Sequence, residues 1–279
     1  MTILQSIILG IIQGITEFLP ISSSGHLVIL EEWFTLPVEQ LRGFDVLVHV
    51  GTLLAIFIYF RSDFKKIILD VFKGKFQMAF LLILGTIPAV IAGFTMSDLL
   101  DNFFRSSEKV ALAMIAVAVL FVVAEYVGRK YFSDKNSKGI ENKNSLFEPK
   151  NEGGFVHVNT FLKVLLIGLF QALALIPGVS RSGSTISAGL LIGMTRHEAA
   201  RFSFILGSIA IFGAGLLTTK DVISDGLYFP NFTIAAAGFV ASLLAGYLSV
   251  AFLMKFLKNH SLHVFAFYLL ILGGGLILF

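Results

Sequence analysis

The sequence contains no cysteine. Disulfides and thiolate metal sites are thereby excluded, although the compartment is not identified. Charge is also scarce: 14% of the 279 residues are Asp, Glu, Lys or Arg, against about 25% in an average soluble domain. The net charge of +3 is small and dispersed over loops, which argues against nucleic acid as a partner. The opening residues lack the basic stretch of a cleavable signal peptide, so Met1 to Pro20 is expected to stay in the mature fold. What is abundant is apolar: 56% of residues are hydrophobic and the mean hydropathy is +0.86. That is the composition of a chain that crosses a bilayer several times.

One polar stretch interrupts the apolar opening: Gln13 to His26, QGITEFLPISSSGH. Polar groups are costly in a nonpolar setting unless they are partnered or face a wet cavity. Gln13 and Glu17 are four residues apart and share a helix face. Pro20 disfavours helix at Leu19 and removes a backbone donor, so a helix is expected to end there. Ser22, Ser23 and Ser24 then supply hydroxyls, and Gly25 permits a bend before His26. A helix end, a hydroxyl-rich turn and a new helix start make an anion cradle. The same residues would also serve as a plain re-entrant turn that satisfies its own backbone.

An internal repeat sets the expected architecture. LQSIILGIIQG from Leu4 aligns without a gap on LKVLLIGLFQA from Leu162, an offset of 158 residues. In this register Gly10 meets Gly168, Gln13 meets Gln171, Ser22 meets Ser180, Ser24 meets Ser182 and Gly25 meets Gly183. Three apolar runs follow each copy: Phe44 to Phe60, Met78 to Met96 and Val110 to Val127, then Phe202 to Thr219, Phe232 to Met254 and Val264 to Phe279. The fold expected is an all-α polytopic membrane protein with an inverted-topology repeat, six transmembrane helices and two re-entrant helical hairpins. Its parts would be a first repeat over 1–130, a polar cytoplasmic linker over 131–159 and a second repeat over 160–279. With both hairpins re-entrant, 16 of the 21 basic residues fall on one side and four on the other, with Arg181 left in the membrane. The rich side is therefore cytoplasmic. An odd number of spans per half inverts the second half, and the hairpins enter from opposite faces.

The second copy carries IPGVSRSGST, Ile176 to Thr185, with Arg181 between two serines. An arginine at bilayer depth costs at least about 2.5–3.5 kcal/mol and implies a function or a partner. Its planar fork suits phosphate or carboxylate, and a structural pairing with Glu17 is compatible with that. Brought together, the repeats form one pocket. Glu17 can bind a divalent cation or act as a base, with Gln13 beside it. One of Ser22, Ser23 and Ser24 is a nucleophile if His26 takes its proton. Arg181, Ser180, Ser182 and Thr185 donate to a highly charged anion. This set suits phosphoryl transfer, and hard oxygen ligands favour Mg²⁺ or Ca²⁺ over zinc. Asp45 and His49 could share a helix face near the pocket, Asp45 as an interfacial cap and His49 as a supporting group. Arg201 and Glu198 read as surface charges, and His260 and His263 as solvated loop residues.

At these motifs the chain resembles the undecaprenyl-diphosphate phosphatase family, the bacitracin-resistance proteins. The resemblance covers nearly the whole chain and rests on QGITEFLPISSSGH and PGVSRSGST. It implies an integral-membrane phosphatase with the inverted-repeat architecture above. Such an enzyme removes the terminal phosphate of a C55-isoprenyl diphosphate, regenerating the lipid carrier for peptidoglycan synthesis. It further implies Glu17 as the metal-binding or acid/base carboxylate, Gln13 in the variable position before it, Ser23 as nucleophile, His26 as acid/base and Arg181 as phosphate clamp. Where the family has Glu at the variable position, this chain has Gln and lacks a second acidic group. The expected setting is the bacterial inner membrane, with the first hairpin reached from the extracytoplasmic side. The lipid tail would stay in the bilayer or in an apolar groove lined by some of the 29 Phe. Whether two copies pair as a homodimer is left open. The rival reading is a polyprenyl-phosphate or anion transporter or flippase, since broken helices and midplane polar sites also build carriers. Glu17 with Ser23 and His26 favours the enzyme, because an anion carrier gains little from a carboxylate in its site.

Overall fold

A computed structural model describes residues 1–36, 38–103, 107–137, 158–224 and 231–278, and among these every regular element is helical. In the first half the helices are α1 (Ile3–Phe18), α2 (Ser23–Trp33), α3 (Val38–Tyr59), α4 (Arg61–Phe72), α5 (Gln77–Phe103) and α6 (Ser107–Ser137). In the second they are α7 (Val158–Leu173), α8 (Arg181–Leu191), α9 (Arg196–Ser224), α10 (Phe232–Phe256) and α11 (His263–Leu278). The linker expected over 131–159 lies outside the described residues from 138 to 157; its first residues continue α6 and its last begin α7.

Local chemistry sets the helix ends. Thr2 and Gln5 close a capping box at the start of α1: Gln5 N–H donates to Thr2 Oγ1 over 3.2 Å, and Thr2 N–H donates to Gln5 Oε1 over 2.7 Å. At the other end, α1 stops at Phe18, two residues before Pro20. Ser180 caps α8 by accepting from Gly183 N–H at 3.1 Å, and Thr195 with Glu198 forms a reciprocal box at the start of α9. Glu198, read from sequence as a surface charge, is thus used locally.

Among the described residues, four helices are long and apolar enough to cross a membrane: 77–96, 108–130, 196–217 and 232–256. A fifth span arises if α3 and α4 count as one broken unit. The last apolar run forms α11, at 16 residues shorter than a full span. Large apolar side chains face outward along the spans, including Phe94 on α5, Val119 on α6, Leu248 on α10 and Ile271 on α11. Their outward faces match hydrocarbon, and the protein is a multi-pass membrane protein.

Arg61 to Phe72, between the first two apolar runs, forms α4, bent 76° from α3. None of its residues is buried. Basic Lys65 and Lys66 share it with exposed Ile68, Leu69 and Phe72, a mixture that only an interface satisfies. Arg201 of α9, expected as a surface charge, pairs with Asp63 of α4 and ties this helix to the bundle.

The halves interlock by exchange. Helix α1 packs on α10, and α7 packs on α5. Both contacts run glycine against glycine. A Cβ on Gly10 would collide with the Gly238 carbonyl, and one on Gly168 would lie 2.5 Å from the Gly85 carbonyl oxygen. Helices α3 and α9 meet at the centre, and α6 meets α11. A continuous apolar core, with Phe18, Phe121, Phe202 and Ile186 fully enclosed, holds α8, while Leu27 of α2 packs in a second, smaller cluster with Leu9, Phe44 and Val48.

Candidate active site

Each short helix begins at one of the two polar motifs. Ser22, just before α2, has φ +70°, a left-handed conformation that a non-glycine residue adopts only under constraint. This sharp turn follows Pro20 and brings Ser23 back over α1. There its hydroxyl donates to Glu17 Oε2 at 2.8 Å. Gln13, one turn earlier on α1, donates from Nε2 to the same oxygen at 3.0 Å, as the four-residue spacing anticipated. Glu17 itself is buried, with 3% of its side chain exposed.

Arg181, the first residue of α8, closes the carboxylate from the other side. Its Nη2 donates to Glu17 Oε1, and its Nη1 donates to the Gly207 carbonyl of α9 at 2.6 Å. Gly207 has no side chain because the guanidinium fills that space: a Cβ there would lie 2.8 Å from Nη1. A buried carboxylate left alone would be costly; the arginine and two neutral donors satisfy it. The pair also joins the halves of the chain, 164 residues apart in sequence.

These groups border a cavity of about 410 Å³. Its polar wall includes Glu17, Ser22, Ser23, Ser24, Ser180 and Arg181, the last five of which lie just before or at the starts of α2 and α8. Two helix N-termini therefore meet at one space, where unpaired backbone N–H groups and the helix dipoles favour an anion. The rest of its lining is mostly apolar, with Ala89, Ala174, Ala210 and Ala214 beside Leu175 and Ile211.

The sequence-derived residues divide. Glu17, Ser22, Ser23, Ser24, Ser180 and Arg181 line the cavity together. Gln13 is fully buried behind Glu17. Ser182 donates to the Leu19 carbonyl at 3.4 Å, and Thr185 donates to the Arg181 carbonyl at 2.8 Å and contacts Ser203. Both are buried and hold α8 in place without lining the cavity. His26 is turned elsewhere: Nδ1 meets the Ser22 carbonyl at 2.7 Å and Nε2 meets the Tyr268 hydroxyl at 2.6 Å. With both ring nitrogens engaged, it has none directed at Ser23. The proton acceptor that Ser23 reaches is Glu17.

His49 takes a nearer place than its sequence reading gave it. It lines the cavity on α3, with Nε2 3.8 Å from Glu17 Oε2 and Nδ1 2.7 Å from the Asp45 carbonyl. Asp45 and Gln171 also face this cavity. Gln171 is the repeat counterpart of Gln13, so the 158-residue offset was the signal that could have found it.

The fold and this site define a multi-pass helical membrane protein with a polar cavity where two short helices begin. The chain belongs to the family described as bacitracin resistance protein BacA, which it matches over residues 6–275. Among curated relatives, a protein of Methanosphaera stadtmanae is 37% identical over 290 residues, covering 97% of this chain and 95% of its own. One of Geobacter sulfurreducens is 38% identical over 286 residues, covering 99% and 98%. One of Chlorobaculum parvum is 39% identical over 294 residues, covering 100% and 97%. All three are named undecaprenyl-diphosphatase.

Proposed function

We propose that this protein hydrolyses undecaprenyl diphosphate to undecaprenyl phosphate and inorganic phosphate in the bacterial inner membrane. Family membership and the names of its relatives support the substrate. The observation that carries the chemistry is the Ser23 hydroxyl aimed at Glu17 where two helix N-termini and Arg181 meet. Ser23 Oγ attacks the terminal phosphorus, and its proton passes to Glu17 Oε2. The bond from that phosphorus to the bridging oxygen breaks, and the electron pair leaves with undecaprenyl phosphate. Water then releases phosphate from Ser23. Arg181 has five N–H donors in all, and those not used on Glu17 and Gly207 are available to the terminal phosphate. The α2 and α8 N-termini offset charge on the diphosphate oxygens as it redistributes. The alanine-lined wall leaves room for the first isoprenyl units.

A divalent cation, Mg²⁺ or Ca²⁺, fits this donor set with help from the substrate. Gln13 Oε1 is buried beside Glu17 without a hydrogen-bond partner, which leaves a hard oxygen free for coordination. Among the described residues there is no group of three or more His, Asp or Glu placed to hold a metal, so diphosphate oxygens would complete the shell. Glu17 and Gln13 would hold the cation, and it would neutralise phosphate charge. The distribution of basic residues supports an extracytoplasmic opening for the cavity.

Phosphate release from a polyprenyl diphosphate by the purified protein, with Mg²⁺, with Ca²⁺ and with chelator, tests this reading. Glu17→Ala and Ser23→Ala are each expected to lose at least about 100-fold in kcat. Folded protein that binds the lipid but releases no phosphate in any metal would overturn it and leave the carrier reading.

A further inference from the structure

The far end of α9 borders a second cavity, of about 480 Å³. Ala210, Ile211, Ala214 and Gly215 line the serine cavity, whereas Thr195, Arg196 and His197 line this one. At 1.5 Å per residue the two lie roughly 20 Å apart along the helix. The second cavity also takes Glu125 and Arg129 from the end of one span, and Lys258 from just past the end of another. It therefore lies at the level where lipid headgroups begin.

Its charges do not balance. Arg129, Arg196 and Lys258 are cations, His197 is a fourth basic group, and Glu125 is the one carboxylate lining the cavity. Glu125 is 1% exposed and already fully engaged. Oε1 accepts from Arg196 Nε at 2.8 Å and from Leu262 N–H at 2.8 Å, and Oε2 accepts from Arg196 Nη2 at 2.5 Å. This pairing fixes the Arg196 plane while leaving its Nη1 without a hydrogen bond among the described residues. Arg129 Nε is 4.0 Å from the same carboxylate and its side chain is 64% exposed. Lys258 is exposed and forms no ion pair with any described residue. After Glu125 is neutralised, two positive charges face a concave space, with rigid donor forks beside them.

We propose that this cavity binds a phosphate-bearing anion, either a phospholipid headgroup or free phosphate. Focused positive charge between span ends attracts anionic headgroups, and guanidinium forks match phosphate oxygens. The cavity is distinct from the serine cavity, shares no residue with it and serves an anion at the other end of α9.

The test is the rate at which Lys258 is acylated in the full chain, quantified by peptide mass spectrometry against the ligand-free protein. The probes are inorganic phosphate, dihexanoyl phosphatidylglycerol and, as a zwitterionic control, dihexanoyl phosphatidylcholine. Protection of Lys258 by phosphatidylglycerol alone assigns a headgroup, and protection by phosphate as well assigns the free anion. Arg129→Ala is expected to weaken the protecting ligand about fivefold and to leave phosphatase turnover unchanged. Equal protection by phosphatidylcholine, no protection by either anion, or undiminished protection in Arg129→Ala would each overturn the proposal.

Discussion

Gly207 is the residue whose role is set most by what it lacks. Its missing side chain leaves room for the Arg181 guanidinium, and its carbonyl anchors one end of that group. Gly207→Ala would press on the tip of a flexible side chain, so the fold should tolerate it while the guanidinium shifts. Kinetics of the purified variant are expected to show at least about tenfold lower kcat/KM with thermal stability near wild type, since a misplacement of 1 Å can cost up to 100-fold. A matching loss of stability would mean that the glycine serves packing alone. Much of this site was legible in the sequence. The spacing of Gln13 and Glu17 put them on one face, and Arg181 stood out as a charge in an apolar run. The histidines were harder. His26 is close to the serines in sequence but turns to Tyr268, 242 residues away, while His49 reaches Glu17 from α3. Adjacency along the chain said nothing about the direction of a ring on a helix that enters between other helices.

Among the elements, the close pairs α1–α10 and α7–α5 depend on backbones in near contact. Leucine at position 10 would meet the Gly238 carbonyl and backbone, which cannot give way as a side-chain tip can. Overpacking of this kind costs about 1–3 kcal/mol or more. Gly10→Leu should therefore lower the midpoint of thermal unfolding in detergent, whereas leucine at Gly213, where a Cβ would meet nothing, should leave it unchanged. Glu125 fastens α6 to α9 and to the start of α11 at once. Glu125→Gln would leave Arg196 without its counter-charge, and because Arg196 is 28% exposed the loss should fall near the low end of the roughly 3–5 kcal/mol for breaking a buried pair. The same melting experiment measures it. The glycines of the repeat were visible in the sequence as matched positions, but their partners Gly238 and Gly85 were not, because helix neighbours follow from topology. Helix α4 lies between the apolar runs that the sequence marks, because its mixed charged and apolar residues carry no run long enough to stand out.

For the whole molecule, the right-angled turn after α3 sets a depth. With α4 lying along the interface, tryptophan at Ile68, in a chain whose native Trp33 is replaced by Phe, should be quenched by lipids brominated near the headgroup more than by lipids brominated near the chain end. Equal or reversed quenching would place α4 out of the membrane surface or deep within it. The apolar runs made the all-helical, membrane-spanning architecture legible. What they could not supply was the exchange of helices between halves, because a repeat specifies likeness and leaves docking to shape.

That exchange bears on biogenesis. The Glu17 carboxylate belongs to α1, and the Arg181 guanidinium that pairs with it is made 164 residues later. Until α8 inserts, Glu17 lies at bilayer depth without its arginine partner, an unfavourable state that favours completion of the bundle. Insertion of the second half relieves this and creates the reactive centre in the same event. A truncated or stalled chain is therefore silent, and the cell carries no half-built hydrolase loose among its carrier lipids.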